Sequence, residues 1–183
     1  MREAQSALKG QSVAGFATVT EAGLCGMVSI RADLGSKALA EALAALGLGL
    51  PGQRAIVTAQ GRTLAWMSPD EMLLLCAYDE AGQLADTLAA ALAGEHALVV
   101  NVSDARALFT ISGAKANQVL MKLCPVDFAT LKPGEMRRTR AAQVAAALWR
   151  SGPGEISLIS FRSVAGYVMG VLEVAARRGG EIW

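Results

Sequence analysis

One phrase of the sequence occurs twice in related form, and it constrains the fold more than any other feature. The first copy, "LAWMSPDEMLLL", covers Leu64–Leu75, and the second, "ALWRSGPGEISLI", covers Ala147–Ile159. Each has a tryptophan, a short turn with serine and proline, an acidic residue and an apolar run, a pattern typical of a β-hairpin with a buried second strand. The phrase therefore predicts two equivalent hairpins, with Trp66 corresponding to Trp149 at a spacing of 83 positions.

The hairpins belong to a longer repeat. Ile30 corresponds to Ile111 at a spacing of 81, and Leu74 corresponds to Leu158 at a spacing of 84. Each half reads strand, helix, strands, helix, which is the order of a ferredoxin-like unit whose two helices cover one face of an antiparallel sheet. We therefore predict an α+β fold of two ferredoxin-like βαββα units related by a pseudo-twofold repeat.

The same pattern predicts four segments along the chain. Residues 1–25 have no clear periodicity and are interpreted as an N-terminal arm. Residues 26–96 and 97–177 form the two α+β units, and residues 178–183 form a tail that is loose unless Trp183 docks.

Some local signals are specific enough to predict where elements begin. Ser36 is placed to cap the helix "KALAEALAAL", and Ser112 is placed to cap the helix "GAKANQVLMKL". The segment "TRAAQVAAALW" is interpreted as one continuous strand. "GLGLPG" matches a dinucleotide-binding fingerprint literally, but it follows a helix and precedes a strand, so it is interpreted as a helix stop.

Composition excludes several classes of function. The formal net charge is +1, which provides no general attraction to nucleic acid or to an anionic membrane. The chain is 53% hydrophobic and 18% charged, with a mean hydropathy of +0.38, an apolar surplus typical of a subunit that covers part of its surface with a partner. There is no apolar run of about 20 residues and no signal-peptide core, so a cytoplasmic location is expected.

No pattern of polar residues indicates chemistry. His96 is the single histidine, and Cys25, Cys76 and Cys124 are far apart and outside any CxxC motif. The cysteines are interpreted as reduced, buried thiols, with a reactive thiol as the alternative. The carboxylates are dispersed and do not form an acid–base pair. We predict no catalytic residue, no cofactor-binding residue and no metal ligand in this chain.

Two groups of residues are candidates for a subunit interface. Arg137, Arg138 and Arg140 lie close together, and along a strand Arg138 and Arg140 share one face. They are interpreted as a charged strand edge, a partner contact or a small-anion site, and the sequence leaves these alternatives open. Trp66 and Trp149 pack either in the chain's own core or against another subunit.

A family resemblance becomes visible in the second half. The segment "HALVVNVSDARALFTISGAKANQVLMKLCPVDFATLKPGEMRRTR" resembles the aminomethyltransferase superfamily, whose N-terminal domain opens with a similar "D-x-S", strand, "S-G", helix and "L-x-P-G". Within it, "RTRAAQVAAALWR", "ISFRSVAGYV" and "LAWMSPDEMLLL" resemble the gamma subunits of heterotetrameric sarcosine oxidases. Together these segments span roughly Gly26 to Ala176, most of the chain.

The resemblance implies a role without an active site. Aminomethyltransferases carry an "N-x-x-G-G-x-x-x-D" loop after the strand that begins near Thr139, and this chain reads "AAQVAAALWRSGPGE" instead. The family implies the aminomethyltransferase folate-binding fold in a non-catalytic small subunit, with the alpha, beta and delta subunits of sarcosine oxidase as partners. FAD, FMN, NAD and tetrahydrofolate are expected in those partner subunits and not in this chain.

The implied reaction of the assembly is the oxidative demethylation of sarcosine to glycine, with hydrogen peroxide formed and a one-carbon unit passed to tetrahydrofolate. One alternative is a stand-alone folate-binding or one-carbon-transfer protein, for which Arg137, Arg138 and Arg140 are the candidate anion site. Another is an adaptor module with unrelated partners.

Overall fold

The chain folds into two compact units, each built on one antiparallel sheet. The computed structural model describes residues 3–183, so the first two residues of the predicted arm lie outside it. One unit is Cys25–Ser103; the other, the discontinuous unit, joins the segment up to Leu24 to Asp104–Trp183. Helices and antiparallel strands occur in both units, which confirms the predicted α+β class. Within residues 3–183 no helix is long and apolar enough to span a membrane.

The unit Cys25–Ser103 contains five strands and two α-helices. From one edge to the other, its strands are β4 (Ile56–Ala59), β5 (Arg62–Ser68), β6 (Glu71–Cys76), β3 (Gly26–Arg31) and β7 (Leu98–Asn101). Its helices are α1 (Lys37–Ala45) and α2 (Ala81–Ala91). Every residue of β6 is buried, as the apolar run that follows Glu71 predicts for a central strand.

The core of this unit forms where the helices meet one face of the sheet. Apolar residues at helical spacing turn one face of α1 and one face of α2 inward, where they pack with alternate residues of β3, β5 and β6. The helices contribute Leu39, Leu43, Leu84 and Leu88, and the strands contribute Val28, Ile30, Leu64, Met72 and Leu74. The predicted cap is confirmed, because the Ser36 hydroxyl accepts from Leu39 N at 3.2 Å.

The glycine-rich segment after α1 is a helix stop, as predicted. Leu48 N donates to Leu43 O and Gly47 N donates to Ala44 O, with Gly47 in the left-handed region at φ +74°. This is the Schellman arrangement that ends a helix. Its two hydrogen bonds satisfy the first amides of the glycine-rich segment, so these amides are not available to a ligand.

The discontinuous unit contains six strands and two α-helices. From one edge to the other, its strands are β1 (Ser12–Ala14), β2 (Thr18–Glu21), β8 (Arg106–Ser112), β11 (Glu155–Phe161), β10 (Val144–Gly152) and β9 (Met136–Ala141). Its helices are α3 (Ala116–Met121) and α4 (Ala165–Ala175). Phe109, Ile111, Leu158, Val168 and Leu172 are buried together between the sheet and the helices.

The N-terminal segment is not irregular, contrary to the prediction. β2 pairs with β8, with Val19 opposite Ile111 and fully buried. Thr18, Val19 and Thr20 are three consecutive β-branched residues, a strand signal too short to stand out in a segment of mixed polar and apolar composition. The buried carboxylate of Glu21 then holds the chain before β1, accepting from the Ser6 hydroxyl and from Gly10 N at 2.8 Å each.

Two further predictions about local structure are wrong. The segment interpreted as one strand is the β9–β10 hairpin, which turns at Ala142 and Gln143 with Ala142 at φ +50°. Alanine and glutamine carry no turn signal, so the sequence concealed this reversal. Ser112 does not cap a helix: it is the last residue of β8, and α3 begins at Ala116 without a side-chain cap.

The main chain of the tail after α4 is held by side chains in and directly after α3. Gln118, which is buried, accepts from Ile182 N at 2.8 Å and donates to Trp183 O at 3.3 Å. Lys122 donates to Ala175 O at 2.7 Å, at the end of α4. The tail is therefore anchored by its backbone, while the indole of Trp183 is exposed.

Candidate functional site

The two tryptophans of the repeated phrase lie on opposite faces of their sheets. In β5, Leu64 belongs to the helix-covered core, so Trp66, two residues on, lies on the same face. In β10, the residue in the helix-covered core is Leu148, so its neighbour Trp149 lies on the helix-free face. The predicted correspondence of Trp66 with Trp149 is wrong by one residue, and a slip of one residue reverses the face of a strand.

Strand pairing gives the true correspondence. Trp66 pairs with Met72 in one hairpin, and Arg150 pairs with Ile156 in the other. In both hairpins the register then shifts by one residue, a β-bulge, before the turn. Trp66 and Arg150 therefore occupy equivalent positions, a spacing that agrees with the 84 positions between Leu74 and Leu158.

The two tryptophans also differ in exposure. Trp149 is 8% exposed, whereas Trp66 is half-buried. The indole of Trp149 is thus almost entirely covered by the chain, and Trp66 retains more surface for a partner. Their role at a subunit interface stays a prediction.

The three candidate arginines do not converge. Arg138 and Arg140 are exposed on the helix-free side of β9, opposite Ala147 and Ala145, which confirms that they share a face. Arg137 lies on the other side, opposite Leu148, and its Nη2 donates to Glu135 Oε2 at 2.6 Å.

Arg140 and Arg137 differ in how their remaining polar groups are satisfied. Arg140 Nη2 donates to Gln143 Oε1 at 3.0 Å, across the β9–β10 turn. The hydrogen bond from Arg137 lowers the pKa of the Glu135 carboxyl, so this pair is ionised at neutral pH. Arg137 Nη1 is buried without a hydrogen-bond partner. This arrangement is a charged strand edge with one local ion pair, and no cradle for an anion is formed by the three side chains together.

Each unit has a cavity large enough to hold a small ligand. The cavity of about 670 Å³ in Cys25–Ser103 includes Arg31, Asp70 and His96 in its lining. The Arg31 guanidinium is already paired with Asp70 at 2.9 Å and with Glu71 at 3.2 Å, so its charge is largely compensated. His96 is exposed in the loop before β7. Within residues 3–183, no three His, Cys, Asp or Glu side chains are grouped as metal ligands.

The cavity in the discontinuous unit is an open apolar groove of about 620 Å³ along α4. Tyr167, Gly170 and Val174 line it, and Lys122 lies at its rim. Tyr167 and Val174 are exposed. We call the face of α4 that carries them the α4 surface. A groove lined by apolar side chains beside one ammonium group is suited to contact with an apolar partner surface.

The cysteines are free thiols, and two of the three are buried as predicted. Cys76 and Cys124 are buried and Cys25 is partly buried, and all three are free. Desolvation by burial raises the pKa of Cys76 to about 11 and that of Cys124 to about 12, and it also raises the pKa of Cys25. At neutral pH all three stay protonated, which leaves none of them as an activated nucleophile.

Comparison with known proteins gives these surfaces a context. Residues 31–177 match the sarcosine oxidase, gamma subunit family, which is most of the chain. A sarcosine oxidase subunit gamma from Arthrobacter sp is 38% identical over 145 residues, covering 77% of this chain and 70% of that protein. The chain belongs to the sarcosine oxidase gamma subunit family.

Other members of this family are similar over as much of the chain. The sarcosine oxidase subunit gamma of Corynebacterium sp. (strain U-96) is 36% identical over 156 residues, covering 80% of this chain and 74% of that protein. A chain of the heterotetrameric sarcosine oxidase from Corynebacterium sp. U-96 superposes with a TM-score of 0.81 at 30% identity. That match covers 90% of this gamma-family chain and 87% of the other.

The aminomethyltransferase resemblance is one of fold. Aminomethyltransferase T of the glycine cleavage system from Bartonella henselae matches with a TM-score of 0.61 at 17% identity, covering 84% of this chain and 45% of that one.

Sequence reasoning missed three residues that matter to these surfaces. Arg150 donates from Nε to Leu131 O at 2.8 Å and from Nη2 to Phe128 O at 2.9 Å, which anchors the loop before β9. Leu98 and Val100 of β7 are 58% and 40% exposed, although a strand reading "LVVN" suggests burial. The position of Arg150, a charged residue in a largely apolar strand, could have indicated that its side chain has a structural role. The sequence of β7 does not reveal that it is an edge strand.

Proposed function

We propose that the chain is the non-catalytic gamma subunit of a heterotetrameric sarcosine oxidase, assembled with alpha, beta and delta subunits. The assembly oxidatively demethylates sarcosine to glycine, forms hydrogen peroxide and passes a one-carbon unit to tetrahydrofolate. In this proposal FAD, FMN, NAD and tetrahydrofolate are bound by the partner subunits, and the assembly is cytoplasmic, where free thiols such as Cys25 stay reduced.

One observation carries the proposal. The chain and a chain of the Corynebacterium sp. U-96 heterotetrameric oxidase correspond over nearly their whole lengths, 90% and 87%, with a TM-score of 0.81. A match of this extent at 30% identity covers both units. It therefore supports an assembly like that of the Corynebacterium sp. U-96 enzyme, in which either unit can contact a partner subunit.

The polar groups of this chain support a structural role. A folate-binding protein needs a cationic group aimed into a pocket to receive the carboxylates of its ligand. Arg137 is paired with Glu135, and Arg138 and Arg140 lie on the opposite face of β9. The three side chains therefore do not fit a folate site.

The apolar surfaces support contact with partners. Tyr167 and Val174 on α4, and Leu98 and Val100 on β7, are large apolar side chains with more than a third of their surface exposed. Exposed apolar side chains of this kind are covered in assemblies, where they contribute the buried centre of an interface.

The proposal is tested by omitting this chain from the assembly. The alpha, beta and delta subunits are co-expressed with and without it, and the yield of assembled oxidase and its sarcosine-dependent peroxide production are measured. We expect a lower yield or a lower melting temperature without the chain, and an unchanged flavin spectrum of the material that does assemble.

An assembly of equal yield and stability in the absence of the chain would contradict the proposal. Titration of the isolated chain with a tetrahydrofolate separates it from the stand-alone folate-binding alternative. We expect no binding, and saturable binding to the isolated chain would favour that alternative.

A further inference from the structure

The four sheet edges of the molecule are not equally protected against pairing with another strand. β9 carries three arginines, and charged side chains discourage edge-to-edge association. β1 has three residues, too few for an extended ladder. β4 exposes a single residue, Thr58, and its other residues are half-buried. β9 and β1 thus have features that limit pairing, and β4 offers a partner little exposed apolar surface.

β7 is neither charged nor as short as β1, and unlike β4 it exposes large apolar side chains. Leu98–Asn101 contains no charged residue, no proline and no glycine. Leu98 is 58% exposed and Val100 is 40% exposed, on the helix-free face of the sheet, while Val99 packs against the helix-covered core on the other face. The strand therefore combines an anchored backbone with an exposed apolar face at the sheet edge.

The backbone of β7 leaves hydrogen-bonding groups on its outer side. Val102 N donates to Met27 O of the neighbouring chain segment at 2.8 Å. Because backbone groups in an antiparallel ladder alternate in direction, Val100 and Leu98 also face β3, and Val99 and Asn101 face outward. In the described part of the chain β7 is the last strand of its sheet, so this outer row has no neighbouring strand.

The molecule itself shows what covers the corresponding edge of its other sheet. The order β4-β5-β6-β3-β7 matches the order β9-β10-β11-β8-β2, so β7 corresponds to β2. β7 pairs with β3, and β2 pairs with β8, both antiparallel. The outer edge of β2 is covered by the antiparallel strand β1, with Val13 opposite Val19. Within residues 3–183, no strand occupies the equivalent position outside β7.

We propose that β7 is a strand-addition site, and that its occupant is an extended segment of a partner subunit of the oxidase. This inference rests on the proposed function. The segment takes the position outside β7 that β1 has outside β2, accepts from and donates to the backbones of Val99 and Asn101, and places alternate apolar side chains on Leu98 and Val100. Backbone hydrogen bonds supply the affinity and the two apolar contacts supply the selectivity, as in other cases of β-augmentation.

The test compares lysine variants at two edges of the same sheet. The single variants Leu98→Lys and Val100→Lys, and the double variant that combines them, place charges on the exposed face of β7. Thr58→Lys places one charge on the opposite edge and is the matched control for each single variant. We expect association with the partner subunits to weaken about tenfold or more for the β7 variants and to stay unchanged for the control, because a desolvated ammonium opposes apolar contact. All of these side chains are exposed, so the melting temperature of the free chain should not change.

Hydrogen exchange supplies a second readout that depends on the backbone. Peptides spanning residues 97–102 are followed by mass spectrometry in the free chain and in the assembled oxidase. We expect the amides of Val99 and Asn101 to exchange rapidly in the free chain and to become protected in the assembly.

The outcomes distinguish this inference from the proposed function. Assembly with rapid exchange at β7, or with lysine variants that bind like the wild type, overturns the strand-addition site and leaves the subunit role intact. A chain that associates with no oxidase subunit contradicts the proposed function itself. Protection of β7 in the isolated chain together with a dimeric mass would identify a second copy as the occupant, and would overturn the assignment to a partner subunit.

Discussion

Trp66 and Arg150 occupy equivalent positions in the two hairpins, opposite Met72 and Ile156 respectively. Both lie on the helix-covered side of their sheets, where Arg150 donates two hydrogen bonds to a loop and Trp66 supplies apolar surface. Trp149 is equivalent to Ala65 instead, on the helix-free side, and both of these residues are buried. The repeated phrase therefore gives the same backbone in the two units but different side-chain roles.

The difference between the tryptophans predicts unequal effects of truncation. Replacing Trp149 with alanine removes a nearly buried indole, so we expect the free energy of unfolding to fall by about 3–5 kcal/mol. Replacing Trp66 with alanine should cost distinctly less, because that side chain is half-buried. Denaturant unfolding of the two variants and the wild type measures both effects. Equal losses would contradict the assigned exposures.

Arg150 is expected to hold the loop before β9 in place. Its Nε and Nη2 donate to Leu131 O and Phe128 O, so Arg150→Met leaves two carbonyls without their donors. We expect a loss of about 1–3 kcal/mol in the free energy of unfolding, with faster amide exchange in residues 126–132. Arg150→Lys is the control: a single ammonium cannot reproduce the two-pronged contact, so a partial loss is expected. Full stability of Arg150→Met would show that the loop does not depend on this side chain.

The buried thiols predict a loss of stability at alkaline pH. Their pKa values are raised above the ordinary 9.0, to about 11 for Cys76 and about 12 for Cys124. Because the folded state favours the protonated thiol, the stabilisation is fully present below pH 9 and is lost progressively as the pH rises toward the folded pKa values.

Unfolding midpoints in urea, measured at about pH 8 and at about pH 10, check this dependence. We expect a lower midpoint at the higher pH in the wild type. The change in midpoint between the two pH values should be smaller in the double variant Cys76→Ala, Cys124→Ala. Each protein is compared only with itself, so that a loss of stability from the substitutions does not enter the difference. An identical pH dependence in the variant would assign the effect to other groups.

Much of the fold could be predicted from local physical signals. Ser36 was identified as a helix cap from its position before an amphipathic run, and β6 as a buried strand from the apolar run that follows Glu71. Alternation along β9 correctly placed Arg138 and Arg140 on one face. Each of these features is determined by a few consecutive residues.

The features that escaped prediction depend on contacts distant in sequence. Ala142 turns the chain without any turn residue, because pairing of β9 with β10 fixes the reversal. β2 is a strand because β8 lies beside it, and β7 is an edge strand because no further strand follows it in its sheet. The exposure of Leu98 and Val100 follows from that position and not from their sequence.

The boundary between the units illustrates the same limit. The sequence divided the units after residue 96, whereas β7 pairs with β3 and belongs to the compact unit Cys25–Ser103. The one-residue slip between Trp66 and Trp149 has a related cause. Aligning the tryptophans gave a spacing of 83, and the strand register shows that the spacing of 84 between Leu74 and Leu158 also applies at Trp66.

The most direct test of the central claim is native mass spectrometry of the assembly isolated through this chain. The chain is tagged, co-expressed with the alpha, beta and delta subunits, and purified by the tag under native conditions. The account predicts one complex that contains all four kinds of subunit, carries flavin absorbance and forms peroxide from sarcosine. A tagged chain that is recovered alone, folded and without flavin, while the other three subunits assemble without it, would contradict the account.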